Sequence, residues 1–175
     1  MQPAQTTWQP QVYNPQEHYT PKERAVALRD ELLCNIQDVS SLLKNVTKIP
    51  LMTFPFVELD EDNSILVGLR QWSRYKKYEA VFHVRLQELP GCCGTLVLHH
   101  AWTHEGLRRR GIVTWFNGVI THSARQCSYG CLLCTIDSMN TASRNAFDKS
   151  GFETSYRFLN HRTQHVILVM QKELI

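Results

Sequence analysis

The sequence predicts an α/β protein with a mixed, mostly antiparallel central sheet flanked by helices. Three observations predict it. Helix-period and strand-period segments alternate along the chain in the order ααβββαβαββ. Strands come in consecutive runs, which favours antiparallel neighbours, with helices inserted between later strands. Hydrophobic residues make up 43% of the 175 residues, enough to build one core in a chain of this length. Residues 1–19 read as an arm or a short first strand, and residues 20–175 as a single domain.

Each element has its own signal. Residues 1–19 are rich in Gln and Pro and lack a clear period. Thr20-Pro21-Lys22-Glu23 is a helix start: Thr20 caps, Pro21 suits the first turn, and Glu23 completes a capping box. Ala25, Leu28, Leu32 and Ile36 follow at helical spacing, and Val39, Leu42, Leu43 and Val46 form a second short set. Pro50 and Pro55 mark a connection. Ser64–Gln71 and Glu79–Leu86 are β-branched, apolar strands. Leu89-Pro90-Gly91 is a turn. Gly94–Thr103 is a third strand, apolar enough to be buried on both faces. After Gly111, Ile112, Trp115, Phe116, Val119 and Ile120 line one face of a helix. Cys131–Ile136 is a short strand, Asn140–Ser150 a helix stopped by Gly151, and Phe152–Leu159 and His165–Gln171 close the sheet.

Composition excludes several classes. The N-terminal residues show neither a basic nor an apolar leader region, and no stretch approaches a membrane span, so no membrane partner is expected. Six cysteines without a leader read as reduced thiols, which suggests a cytoplasmic setting. Cys127, Cys131 and Cys134 lie near His122, but an offset of three sends Cys131 and Cys134 to opposite faces of a strand, so no metal is expected. The net charge of +3 is uneven: residues 1–60 hold 5 Lys+Arg against 7 Asp+Glu, and residues 61–175 hold 14 against 9. Part of that excess is Arg70, Arg74, Lys76, Lys77 and Arg85, interleaved with Trp72, Tyr75 and Tyr78. This segment reads as an exposed connection between strands and as a place to seek an acceptor.

The densest signal is a strand running into Gly106-Leu-Arg-Arg-Arg-Gly111 and then an amphipathic helix. A helix N-terminus offers unpaired N–H groups and a positive dipole end. Glycine and arginine beside it make a seat for phosphate. The loop lacks both the Lys-Ser/Thr ending of a P-loop and the three-glycine dinucleotide fingerprint.

Arg108-Arg-Arg-Gly111-Ile-Val113 resembles the Arg/Gln-x-x-Gly-x-Gly/Ala loop of the GNAT superfamily of acyl-CoA N-acyltransferases. Asn140-x-x-Ser143-x-x-x-Phe147-x-x-x-Gly151-Phe152 resembles that family's second signature, Asn-x-x-Ala-x-x-x-Tyr-x-x-x-Gly-Phe. The resemblance covers residues 94–159 directly and the remainder from residue 20 by element order. It implies that Arg108, Arg109, Arg110, Gly111, Ile112 and Val113 hold the pyrophosphate of acetyl-CoA. It implies that Ala101, Trp102 and Thr103 pair with the pantetheine arm, and that Asn140 and Phe147 lie near it. It departs from the family at Val113, where a branched side chain crowds the loop, and at Phe147, which lacks the hydroxyl that protonates the leaving thiolate in many members.

The implied reaction is acetyl transfer from acetyl-CoA to a primary amine. It needs a general base with a pKa near working pH, and His99 and His100 on the strand before the loop are the candidates. Alternation places them on opposite faces, with His99 sharing parity with Ala101 and Thr103. His104, Glu105 and Tyr156 are further acid–base candidates. Expected partners are acetyl-CoA and an amine-bearing acceptor, whether small molecule, peptide or RNA- or DNA-linked, with a second copy of the chain as a further candidate. The alternative reading is a GNAT-fold protein without catalysis, serving as a binding, structural or virion-associated component.

Overall fold

In a computed structural model of the chain, the described residues are 19–36, 53–72 and 78–174. The expected arm, the helical set at 39–46, and Arg74, Tyr75, Lys76 and Lys77 lie outside them, as does the Tyr78 side chain.

Helix α1 (Pro21–Ile36) starts at the capping box read from the sequence. Thr20 N–H donates to Glu23 Oε2 at 2.7 Å, and Glu23 N–H donates to Thr20 Oγ1 at 3.2 Å. Ala25, Leu28, Leu32 and Ile36 form its buried face.

The sheet has seven strands: β1 (Thr53–Leu59), β2 (Ile65–Trp72), β3 (Tyr78–Glu88), β4 (Thr95–Thr103), β5 (Cys131–Asp137), β6 (Glu153–Asn160) and β7 (His165–Glu173). Their order is β1-β2-β3-β4-β5-β7-β6. The β4–β5 pair is parallel and the other neighbours are antiparallel. Helix α2 (Ile112–Gln126) links β4 to β5, and α3 (Thr141–Lys149) links β5 to β6. This is the mixed, mostly antiparallel α/β sheet that the sequence predicts.

One strand was not expected. Pro55 reads as part of a connection, yet it sits inside β1, opposite Leu69. Proline removes a ladder donor, which an edge strand tolerates because one side of it has no partner strand among the described residues.

Cross-strand partners share a face, so the register traces the core. Val67 faces Val84, Leu69 faces Phe82, Leu86 faces Leu98, Leu98 faces Cys134, and Cys134 faces Met170. All are buried. Phe116, Ile120 and Ala124 of α2 cover this row, with the Phe116 ring 4.4 Å from that of Phe82. Each such large side chain stabilises the fold by about 1.5–3 kcal/mol. Helix α1 packs on α2, and α2 on α3. His83, Arg85 and His99 therefore lie on the other face of the sheet.

The expectation that β4 is buried on both faces does not hold. Leu96 and Leu98 are buried, but His100, Ala101 and Trp102 are exposed. The reason is topological. Strand β5 pairs with β4 only from Thr95↔Cys131 to Leu98↔Cys134, after which the two strands part.

Candidate functional site

The parting of β4 and β5 is the centre of the site. Past Leu98, β4 keeps β3 on one side, with Trp102 opposite His83 and Thr103 opposite Phe82. Past Cys134, β5 keeps β7 on its far side, from Thr135↔Val169 to Asp137↔Ile167. The facing edges have no register with each other. Backbone groups along such an edge need partners, and an extended amide chain can supply them.

A β-bulge lies at the same place. Arg85 pairs with His99, and His83 pairs with Trp102, so His100 and Ala101 together oppose Val84. His100 takes φ = 52°, the left-handed region that a bulge residue adopts. The bulge overturns the alternation expected from the sequence. His99 shares its face with Trp102 rather than with Ala101 and Thr103, because Arg85 and His83 are on one face of β3. The rings of His99 and His100 lie 4.8 Å apart, not on opposite faces. The indole of Trp102 stacks on His83 at 5.6 Å, a contact that no sequence spacing announced. Ala80, His83, His100, Ala101 and Trp102 line an open depression there.

The two histidines differ in environment. His99 Nε2 is buried without a hydrogen-bond partner among the described residues. Burial, followed by the His100 and Arg85 charges, lowers the His99 pKa, so its imidazole is neutral at neutral pH. Arg85 beneath it is held by an ion pair with Asp60. His100 is exposed. His104 accepts a hydrogen bond from Gly106 N–H and starts a short 3₁₀ turn over Glu105–Leu107.

The turn leads into the basic loop. Arg108 folds back, donating from Nε to Thr103 O at 3.2 Å, so that carbonyl is occupied by the protein itself. Arg109 has φ = 61° and Gly111 has φ = 76°. Gly111 is the N-cap of α2 and gives no side-chain cap to its N–H groups. A Cβ on Gly111 would meet nothing within 4 Å, so the approach to the helix end is open. Ile112 is buried, and Val113 packs against the core cluster. The crowding expected from Val113 is thus directed inward. Open glycine, arginines and an uncapped helix start match the demands of a pyrophosphate.

Asn140 is occupied as a cap. Its Oδ1 accepts Ser143 N–H at 3.1 Å at the start of α3. Phe147 is 5% exposed and meets Phe152 edge to face, with ring centroids 5.0 Å apart. Tyr156 lies on the edge strand β6 with its side chain exposed. Cys134 fills the core, where burial pushes its thiol up to about 12. Cys131 alternates to the half-exposed face. Arg70 pairs with Glu58 and covers the Phe56 ring, so this part of the basic segment is tied to β1.

No protein-family model matches the sequence, and no curated protein matches it. Solved structures do. Salmonella typhimurium yncA, determined with its cofactor acetyl-CoA, is 13% identical with a TM-score of 0.53, over 83% of this chain and 73% of that one. A GNAT-family structure from Desulfovibrio desulfuricans is 10% identical with a TM-score of 0.55, over 86% of this chain and 92% of that one. Nourseothricin acetyltransferase is 13% identical with a TM-score of 0.54, over 79% of this chain and 95% of that one. The protein has the fold of the acyl-CoA N-acyltransferases, the GNAT fold. Among the described residues, no helix is long and apolar enough to cross a membrane.

Proposed function

We propose that the protein is an N-acetyltransferase that moves an acetyl group from acetyl-CoA to a primary amine. The observation that carries this reading is the split between β4 and β5 beyond Leu98 and Cys134, with the His100 bulge in it and the Arg108–Val113 loop directly after it. The loop and the start of α2 would hold the pyrophosphate. The β4 edge over Ala101–Thr103, apart from the Thr103 carbonyl that Arg108 holds, would pair with the pantetheine amides. Backbone N–H groups along that edge would also receive the oxyanion that develops on the thioester carbonyl.

His99 is the preferred base, because a neutral imidazole with an unpartnered Nε2 can accept the proton that the attacking amine gives up. His100 stands beside it, 4.8 Å away between ring centroids, as the second candidate. The amine attacks the carbonyl carbon, the C–N bond forms, and the C–S bond breaks. His99→Ala and His100→Ala, compared in a thiol-release assay over an amine panel, test this assignment. Unchanged rates in both would eliminate it.

Thermal unfolding with and without acetyl-CoA tests the binding half. A ligand that binds only the native state at about 100 times its Kd stabilises by about 2.7 kcal/mol. A clear rise in midpoint is expected, and no rise at millimolar acetyl-CoA overturns the enzyme reading. One observation favours a second reading, a CoA-binding protein without turnover. Phe147 buries a ring where the family signature has tyrosine, and so has no proton to give. Stabilisation by CoA without acetyl transfer to any amine would select it.

A further inference from the structure

We infer that the acceptor of this site is an amine carried on a planar aromatic ring, which stacks on the Trp102 indole while its amine reaches His99. The inference deepens the acyl-transfer reading above and rests on it.

The bulge in β4 makes the platform. Arg85 pairs with His99, and regular antiparallel pairing would then set Ala101 opposite His83 and turn Trp102 toward the helix-covered core. The extra residue at His100 sets Trp102 opposite His83 instead. A bulge re-aims the side chains that follow it. Here it exchanges a methyl group for an indole on the face that carries His99. Trp102 stays 41% exposed there, so its placement serves the open face and not the core.

The indole is held on two sides. His83 stacks on it at 5.6 Å between centroids and 26° between planes, and His104 meets it edge to face at 6.2 Å. His104 is pinned in turn by Gly106 N–H. Burial, followed by the His100 and Arg85 charges, lowers the His83 pKa, so the ring under the indole is neutral at neutral pH. A platform ordered in advance spares a ligand the cost of ordering it.

The surroundings select the chemistry. Ala80 and Ala101 add only methyl groups to the depression, which leaves the indole and the two imidazoles as its rings. No carboxylate lines it among the described residues. Asp60 and Asp62 are engaged with Arg85, and Glu58 with Arg70. Glu79 adjoins Ala80 but alternates to the opposite face, opposite Gln71. A second ammonium on the acceptor would therefore find no free anion in the depression. A flat ring would find flat rings, in the offset or edge-to-face contacts that aromatic quadrupoles favour.

Position fits the same class. His83 and Arg85 are two residues apart on β3, so their partners Trp102 and His99 stand about 7 Å apart along the strands. A ring with a two-carbon arm covers that span and brings its amine to the His99 ring, whose Nε2 has no partner among the described residues.

The test uses the full chain, acetyl-CoA and a matched pair of acceptors, phenethylamine and cyclohexylethylamine, alike in spacer, amine basicity and bulk. Thiol release should give the aromatic amine a kcat/KM about 2–10-fold above the saturated one, the range that aromatic pairing supplies. Trp102→Leu should bring that ratio close to one, and Trp102→Phe should keep it. Any change in cofactor binding acts on both amines alike and cancels in the ratio. Turnover with a wild-type ratio at or below one, or with a ratio unchanged in Trp102→Leu, overturns the platform and leaves the acyl-transfer reading standing. A higher kcat/KM for the diamine cadaverine than for phenethylamine overturns it in favour of a cationic acceptor. Where acetyl-CoA stabilises the protein but neither amine turns over, calorimetric titration of both amines into the CoA complex reads the same ratio as affinity. Preference for the aromatic amine that is lost in Trp102→Leu then supports the platform without turnover, and equal or absent binding overturns it. Absence of stabilisation by acetyl-CoA overturns both readings.

Discussion

Gly68 in β2 offers the sharpest test of how the sheet holds the site. It pairs with His83, and Phe82 beside it is fully buried under Phe116. A Cβ at Gly68 would lie 2.1 Å from Phe82 O, 2.9 Å from His83 Cα and 3.0 Å from the Phe56 ring. Two of those neighbours are backbone, and the Phe82 ring has no room to retreat from Phe116. Overpacking of this kind costs about 1–3 kcal/mol. Alanine's lower unfolded-state entropy returns about 0.5–1 kcal/mol. A backbone contact of 2.1 Å puts the cost at the upper end of that range, so Gly68→Ala should destabilise by about 2 kcal/mol net. With an m-value of about 2 kcal/mol/M, the urea midpoint should fall by roughly 1 M at constant m. Gly118 in α2 is the control, since a Cβ there meets nothing within 4 Å. Gly118→Ala should raise stability by about 0.8–1 kcal/mol, the helix-propensity difference. Equal effects in both variants, or a Gly68→Ala midpoint at or above wild type, would refute the close approach of β2 and β3 beneath His83.

Three further outcomes are expected. His100→Gly should hold or raise stability, because glycine accepts φ = 52° freely, whereas His100→Val should lose about 1–2 kcal/mol in a urea titration. Arg24 and Glu88 form a two-pronged ion pair with side chains each 15% exposed. Arg24→Ala should cost about 2–3 kcal/mol, and adding Glu88→Leu should recover most of it, as read by double-mutant cycle in urea unfolding. Burial lowers the pKa of both His83 and His99, so their contribution to stability is full above about pH 6.5 and is lost as pH falls through the folded values. The slope of stability against pH just below 6.5 should flatten in His83→Gln/His99→Gln, and an unchanged slope would contradict their burial as neutral rings.

Local signals were the legible ones. Thr20 and Glu23 make a capping box whose partners are three residues apart, so the spacing alone specifies it. The Arg108–Val113 loop announced itself in the same way, and the structure adds that Gly111 caps α2 with a positive φ. What was hidden depends on tertiary pairing. Pro55 argues against a strand unless that strand is known to be an edge. The bulge at His100 exists only relative to Val84 on β3, and it reversed the parity assigned to His99. Asp137 and His165 are 28 residues apart and meet because β5 and β7 are neighbours, a topology that no local period encodes.

The bulge and the split have one origin in the sequence of β4. Its first half, Thr95–Leu98, places apolar side chains into the helix-covered core and can zip to β5. Its second half, His99-His-Ala-Trp-Thr103, has only one residue suited to that core, since register puts Thr103 opposite Phe82 and gives His99 and Trp102 to the open face. No large apolar side chain there points into the helix-covered core to reward continued pairing with β5, whose Ile136 finds its cover from Leu168 on β7 instead. Strand β4 therefore bends at His100, turning Trp102 onto His83 and leaving its free edge toward β5. The residues that fail as core are the ones that line the opening. A substitution that made β4 a better strand, such as isoleucine at His100, would close the geometry the proposed transfer requires. Such a variant should be less able to bind acetyl-CoA, whatever its effect on stability.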